Sequence, residues 1–147
     1  MLDRQIEWSL SFSAQLLSPR LSVMVTTIDL AGCIKAAPYS FFMPVSYMPP
    51  RLCFSVVTVK HHLRHAAFQY AKGQSPEEML RLEQYAAETE DTPKDTLANI
   101  MELGEFGINI LPIDNLEPVI ISSYCYPRGV NEIEVSGLTE YPSTAGG

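Results

Sequence analysis

The sequence predicts a mainly β fold with added helices, and three observations carry that reading. Two runs, "LSVMVTT" (Leu21 to Thr27) and "RLCFSVVTV" (Arg51 to Val59), are rich in β-branched residues, which suit the pleated, half-buried surface of a sheet. Two later runs, "SPEEMLRLEQYAAE" and "TPKDTLANIMELGE", open on helix-start residues and continue at helical spacing. Strands and helices do not alternate in a βαβ rhythm, so an antiparallel sheet or barrel with attached helices fits best.

Taken in order, the first strand ends in "DLAG" (Asp29 to Gly32), a hairpin turn in which Gly32 can take a positive φ. "CIKAAPYSFF" is the return strand. Pro38 interrupts it and lacks a ladder donor, so the strand belongs at an edge or a bulge. Pro49 and Pro50 fix an extended, non-helical approach to the strand that starts at Arg51.

Ser75, Pro76 and Glu78 form a capping box, and Met79, Leu82 and Ala86 fall on one face of the helix that follows. In the second helix Leu97, Ile100 and Met101 are expected on the buried stripe, with Gly104 as the stop. "FGINIL" reads as a short strand, "NLEPVIISS" as a turn or short helix, and "PRGVNEIEVSGL" mostly as loop. No repeat, low-complexity tract or linker divides the chain, so residues 1–147 are expected to form a single domain.

At 147 residues the chain is long enough for one sizeable core. A net charge of −7 excludes a broad basic face, and with it a nucleic-acid partner. No run reaches transmembrane length, and the N-terminus lacks the basic flank and long apolar run of a secretory signal. Cys33, Cys53 and Cys125 are odd in number and widely spaced. They predict neither a disulfide framework nor a zinc site, and three reduced thiols point to the cytoplasm.

Three stretches could carry chemistry. "AAPYSFFMPVSYMPPRL" (Ala36 to Leu52) has no charged side chain before Arg51. It reads either as a core corner beneath a proline-stiffened crossing or as a platform for a flat ring system. Ala36, Ala37 and Ser40 are small enough there for the main chain to approach a ligand. "TPKDTLANI" offers a helix N-terminus with Lys94 and Thr96, suited to a phosphate. The same residues also read as a plainly capped helix, with Asp95 turned toward the helix amides. "KHHLRH" (Lys60 to His65) lacks the Cys or Glu that would complete a metal motif, and a solvated basic patch explains it. No G-x-S-x-G or Cys–His arrangement supports nucleophilic catalysis.

In sequence order, "LSVMVTT…G…AAPYSFFMPVSYMPPRLCFSV", "KDTLANI…GEFGINIL" and "YPRGVNEIEVSGLTEYPS" resemble the flavin reductase family with the FMN-binding split barrel. The likeness runs from Leu16 to Ser143, and the order of the motifs is more specific than any one of them. It implies a Greek-key split β-barrel, a homodimer and FMN held near the subunit interface. It also implies hydride transfer from NADH or NADPH to flavin, with a monooxygenase or another acceptor as partner.

Carried onto this chain, the A-P-x-S stretch falls on Ala37, Pro38, Tyr39 and Ser40, beside the flavin ring. The strand serine falls on Ser55, the K-D-T phosphate motif on Lys94, Asp95 and Thr96, and the approach from the first strand on Thr26 and Thr27. No side chain is implied as a catalytic acid or base, because flavin accepts the hydride itself.

The chain departs from the family pattern in three places. Lys35 stands where many relatives carry asparagine, so a cation is expected near the flavin. The segment from His61 to Asp91 is longer than a typical connection and is expected to cover the site. The resemblance also implies further strands beyond "GLTEYPS", so a truncated barrel is expected. The alternatives to a flavin reductase are a non-catalytic FMN-binding electron carrier and a shortened domain that has lost flavin.

Overall fold

The first strand, β1 (Val23–Ile28), lies at the centre of a three-stranded antiparallel sheet, between β2 (Ile34–Tyr39) and β5 (Gly107–Asn109). This architecture comes from a computed structural model that describes residues 21–58, 92–124 and 126–141. Positions 75–77, 80, 81, 84 and 88 are also described. The register pairs Val23 with Tyr39, Val25 with Ala37 and Thr27 with Lys35. Because side chains alternate along a strand, these six share one face, and Met24, Thr26, Ala36 and Pro38 share the other.

The Asp29–Gly32 turn forms as expected. Asp29 Oδ1 accepts the N–H groups of Ala31 (2.9 Å) and Cys33 (2.8 Å), and Gly32 sits at φ 84°. That φ is steeply unfavourable for a residue with a Cβ. Among the described residues β2 is an edge strand, one of the two places expected for Pro38.

The proline-rich stretch contains an element that the sequence reading left out. β3 (Phe42–Tyr47) and β4 (Pro50–Phe54) form a separate two-stranded antiparallel sheet. Its register slips between Pro44 and Ser46, so Val45 bulges out. β4 therefore starts at Pro50 and ends at Phe54, short of the Val59 expected. Phe42, Phe54 and Val56 pack against Val23, Val25, Ala37 and Tyr39 to form one core cluster. The rings of Tyr39 and Phe54, and of Phe54 and Phe106, meet edge to face at 5.1 Å.

Helix α1 (Asp95–Leu103) packs on the same sheet face and ends at Gly104, as the sequence predicts. Its buried side is not the one expected. Thr96 and Asn99 are buried, whereas Met101 is 78% exposed and Leu97 and Ile100 are half-buried. The polar residues face inward because they meet polar partners on β1 and β2, described below.

The opposite face is covered by α2 (Leu116–Ser122) and α3 (Glu132–Ser136). Met24, Ala36 and Ile133 form the core there, with Ile34, Leu111, Val119 and Leu138 around them. Residues 127–138 are mostly loop, as expected, but α3 is set within them. Asn131 caps it by accepting the N–H groups of Ile133 and Glu134, and Gly137 ends it in the left-handed region.

The described positions 76, 77, 80, 81, 84 and 88 are helical, in keeping with the helix predicted there. The rest of that helix, its Met79, Leu82 and Ala86 face, and His61 and His65 lie outside the described residues. So does Cys125, while Cys33 and Cys53 are free thiols. Among the described residues no helix is long and apolar enough to cross a membrane, and no cluster of His, Cys, Asp or Glu could hold a metal ion.

Candidate functional site

The strand carrying A-P-Y-S and the helix start carrying K-D-T meet on one face of the sheet. Tyr39 is the point of contact. Its ring lies under the Lys94 ammonium, 4.8 Å from Nζ to the ring centroid, a cation–π arrangement. Burial pushes the phenol up to about 12, which keeps it a hydrogen-bond donor at neutral pH. The Thr96 hydroxyl beside it opposes that shift, but the geometry falls short of a hydrogen bond. Tyr39 Oη is thus buried without a partner. A buried hydroxyl left unpaired is costly, so it marks a place that wants a polar group.

Lys94 is the N-cap residue of α1, with extended backbone and no side-chain capping bond. The Asp95 carboxylate lies 3.7 Å from Lys35 Nζ and belongs to a buried charge cluster. Lys35 is 1% exposed. Its ammonium donates to the carbonyls of Pro127 (2.7 Å) and Val130 (3.0 Å) and lies 3.6 Å from Glu132. Lys35, the cation expected near the flavin, is a hub joining β2, α1 and the segment that leads into α3.

Glu132 was not singled out from the sequence. Its carboxylate accepts the N–H of Ala36 at 2.7 Å. Burial pushes its carboxyl up to about 7, while the Lys35 ammonium and the Ala36 N–H pull it down. The desolvation cost therefore exceeds what one shared ammonium returns.

A second polar chain fixes the other end of α1. Asn99 Nδ2 donates to Thr27 Oγ1 at 3.1 Å, and Asn99 Oδ1 accepts from Arg128 at 3.2 Å. Arg128 also reaches Glu102 at 2.9 Å. Thr27 is thereby committed to holding the helix.

The remaining candidate residues divide. Ala37 is buried on the α1 face beside Tyr39. Ser40 and Ser55 flank the junction of β2 with the hairpin, where the Ser55 N–H donates to the Phe41 carbonyl at 2.9 Å. Thr26 and Pro38 lie on the opposite face. Thr26 Oγ1 accepts from Asn109 at 3.3 Å and lines a cavity of about 200 Å³ with Met24, Ile34, Leu111 and Ile133. Tyr39, Lys94, Asp95 and Thr96 thus come together, whereas Thr26 and Pro38 stand apart from them. Arg128, Asn99 and Glu132 lie inside the stretches that carry the family resemblance, but the sequence marks none of them as a site residue.

Comparison with known proteins agrees with this architecture. The family model described as "Flavin reductase like domain" matches residues 17–147. An uncharacterized protein of Halalkalibacterium halodurans is 33% identical over 142 residues, 97% of this chain and 53% of its own length. An uncharacterized protein of Aquifex aeolicus is 29% identical over 124 residues, 84% of this chain and 48% of its own. The chain spans about half the length of these curated relatives.

Two solved structures share the fold, each at 24% identity. Nitrilotriacetate monooxygenase component B from Bacillus cereus has a TM-score of 0.63 over 88% of this chain and 49% of its own. The 2-nitrobenzoate 2-nitroreductase NbaA from Pseudomonas fluorescens has a TM-score of 0.62 over 97% and 51%. With the family model spanning nearly the whole sequence, the chain belongs to the flavin reductase like domain family.

Proposed function

We propose that this chain is a single split-barrel domain that binds FMN and serves as an NAD(P)H:flavin oxidoreductase. One observation carries the reading: the A-P-Y-S strand and the K-D-T helix start converge on the unpartnered phenol of Tyr39 beneath the Lys94 ammonium. An orphaned buried donor, a cation and a helix N-terminus are together suited to an anionic group, so these residues fit a phosphate-bearing flavin. Family membership supports the flavin, and the fold neighbours include a monooxygenase component and a nitroreductase.

In this proposal the Tyr39 phenol, Lys94 and Thr96 hold the phosphate, while Ala37, Ser40 and Ser55 supply the wall along which the ring lies. Asp95 holds Lys35 rather than the ligand. Flavin, when bound, supplies the two-electron chemistry, taking a hydride from NADH or NADPH and passing electrons to an acceptor such as a partner monooxygenase. The protein's part is to orient the ring, exclude water and balance the phosphate charge. A homodimer belongs to the same proposal.

The test is direct. The purified protein should be yellow and release FMN on denaturation, and it should oxidise NADH or NADPH when flavin is added. Colour without turnover would favour an electron carrier, and a protein that takes up no FMN would overturn the reading.

A further inference from the structure

Lys35, Asp95 and Glu132 form a buried cluster in which two carboxylates share one ammonium, at 3.7 and 3.6 Å. With both carboxylates ionised the cluster carries one net negative charge, and one added proton neutralises it. Asp95 is the first residue of α1, between Lys94 and Thr96, so this charge sits at the helix start where the anion is proposed to bind. We propose that Glu132 is a positioning residue that acts through Lys35 and Asp95, coupling the binding of an anionic group at this helix start to the uptake of one proton. The proposal rests on the phosphate reading given above.

The groups facing Glu132 set the sign. Lys35 on β2 and the Ala36 N–H favour its ionised form, and Asp95 on α1 opposes it. Lys94, also on α1, favours the ionised form. Cys33 and Tyr39, at either end of β2, feel the Glu132 charge in return. An anion that pairs with Lys94 cancels one of the influences keeping Glu132 ionised, so its arrival raises the carboxyl's proton affinity. By linkage, the proton raises the affinity for the anion by the same factor. The carboxyl already titrates at about 7 because it is buried, so the coupling operates near neutral pH.

The experiment measures FMN and riboflavin affinities from pH 6 to 8.5 in the wild type and in Glu132→Gln. The preference for FMN over riboflavin should fall about five- to tenfold as pH rises through this range in the wild type. It should not fall in the variant. Ionisation of the FMN phosphate itself, with a second pKa of about 6, works the opposite way, since a dianion binds Lys94 more strongly.

Titration calorimetry of the wild type at pH 7.5, in buffers of different ionisation enthalpy, gives a second readout that needs no variant. Net proton uptake on FMN binding is expected, and release or no exchange would overturn the coupling. An FMN preference that changes with pH alike in both proteins would also overturn it. No preference for FMN at any pH would overturn the phosphate reading itself, and the coupling with it.

Discussion

Asn99 of α1 and Thr27 of β1, 72 residues apart in sequence, are joined by a 3.1 Å hydrogen bond between two buried side chains. The bond explains why this helix turns a polar side inward. Asn99 also accepts from Arg128, so one amide ties the helix to the central strand and to the segment before α3. Asn99→Leu keeps comparable bulk but leaves Thr27 and Arg128 without this partner. Thermal unfolding should show a loss of about 1–3 kcal/mol, the cost of stranding buried polar groups. Thr27→Val in the Asn99→Leu background should add little further loss, because the bond is already gone.

Gly107 faces Thr26 across the β1–β5 pair, and a Cβ built at Gly107 would lie 2.5 Å from Thr26 Oγ1. Gly107→Ala must therefore displace β5 or push the threonine off its rotamer, at about 0.5–1.5 kcal/mol. Thr26→Ala removes the obstructing oxygen. Denaturant titrations of the two single variants and the double variant should thus be non-additive, with the double variant recovering part of the loss.

Removing the Lys35 ammonium takes the shared counter-charge from Asp95 and Glu132 and a donor from the carbonyls of Pro127 and Val130. Lys35→Met should cost about 3–5 kcal/mol, as expected when one member of a buried ion cluster is deleted. Amide exchange around residues 127–131 should rise first, since Lys35 holds that segment through Pro127 and Val130. Unchanged protection there would show that the segment is held by other contacts.

The Glu132 carboxyl has a raised pKa, about 7 in the folded chain against 4.5 ordinarily. Between these values the folded state binds more protons than the unfolded state, so this group's contribution to stability falls as pH rises from about 4.5 to about 7. Above that the contribution is level. Melting temperatures measured across this range should decline more steeply for the wild type than for Glu132→Gln, which cannot ionise. Parallel curves would assign the titration elsewhere.

The parts of the fold written in local chemistry were legible in the sequence. β-branched residues marked β1, Asp29 and Gly32 marked its turn, and Gly104 marked the end of α1. The strand at Arg51 was legible, but β3 and its pairing with β4 were hidden by prolines, since Pro44 sits beside the register slip. α3 was signalled by Asn131 and Gly137, but five residues are too few for an apolar period to show.

The apolar spacing of Leu97, Ile100 and Met101 misled because tertiary hydrogen bonds, rather than hydrophobicity, orient α1. The candidate site followed the same division. The K-D-T and A-P-Y-S motifs were readable, but their meeting at Tyr39 and the Lys35–Glu132 pairing depend on how the chain returns on itself.

In the proposed function the start of α1 receives the phosphate of FMN, and Lys94 tests this most directly. A charge-assisted contact of this kind contributes about 1.5–3 kcal/mol. Lys94→Ala should therefore weaken FMN binding about ten- to a hundredfold, since about 1.4 kcal/mol is a factor of ten. Riboflavin, which lacks the phosphate, should bind the variant and the wild type almost equally. Equal losses for both ligands would contradict the account, and would make this helix start a support for the fold rather than a seat for phosphate.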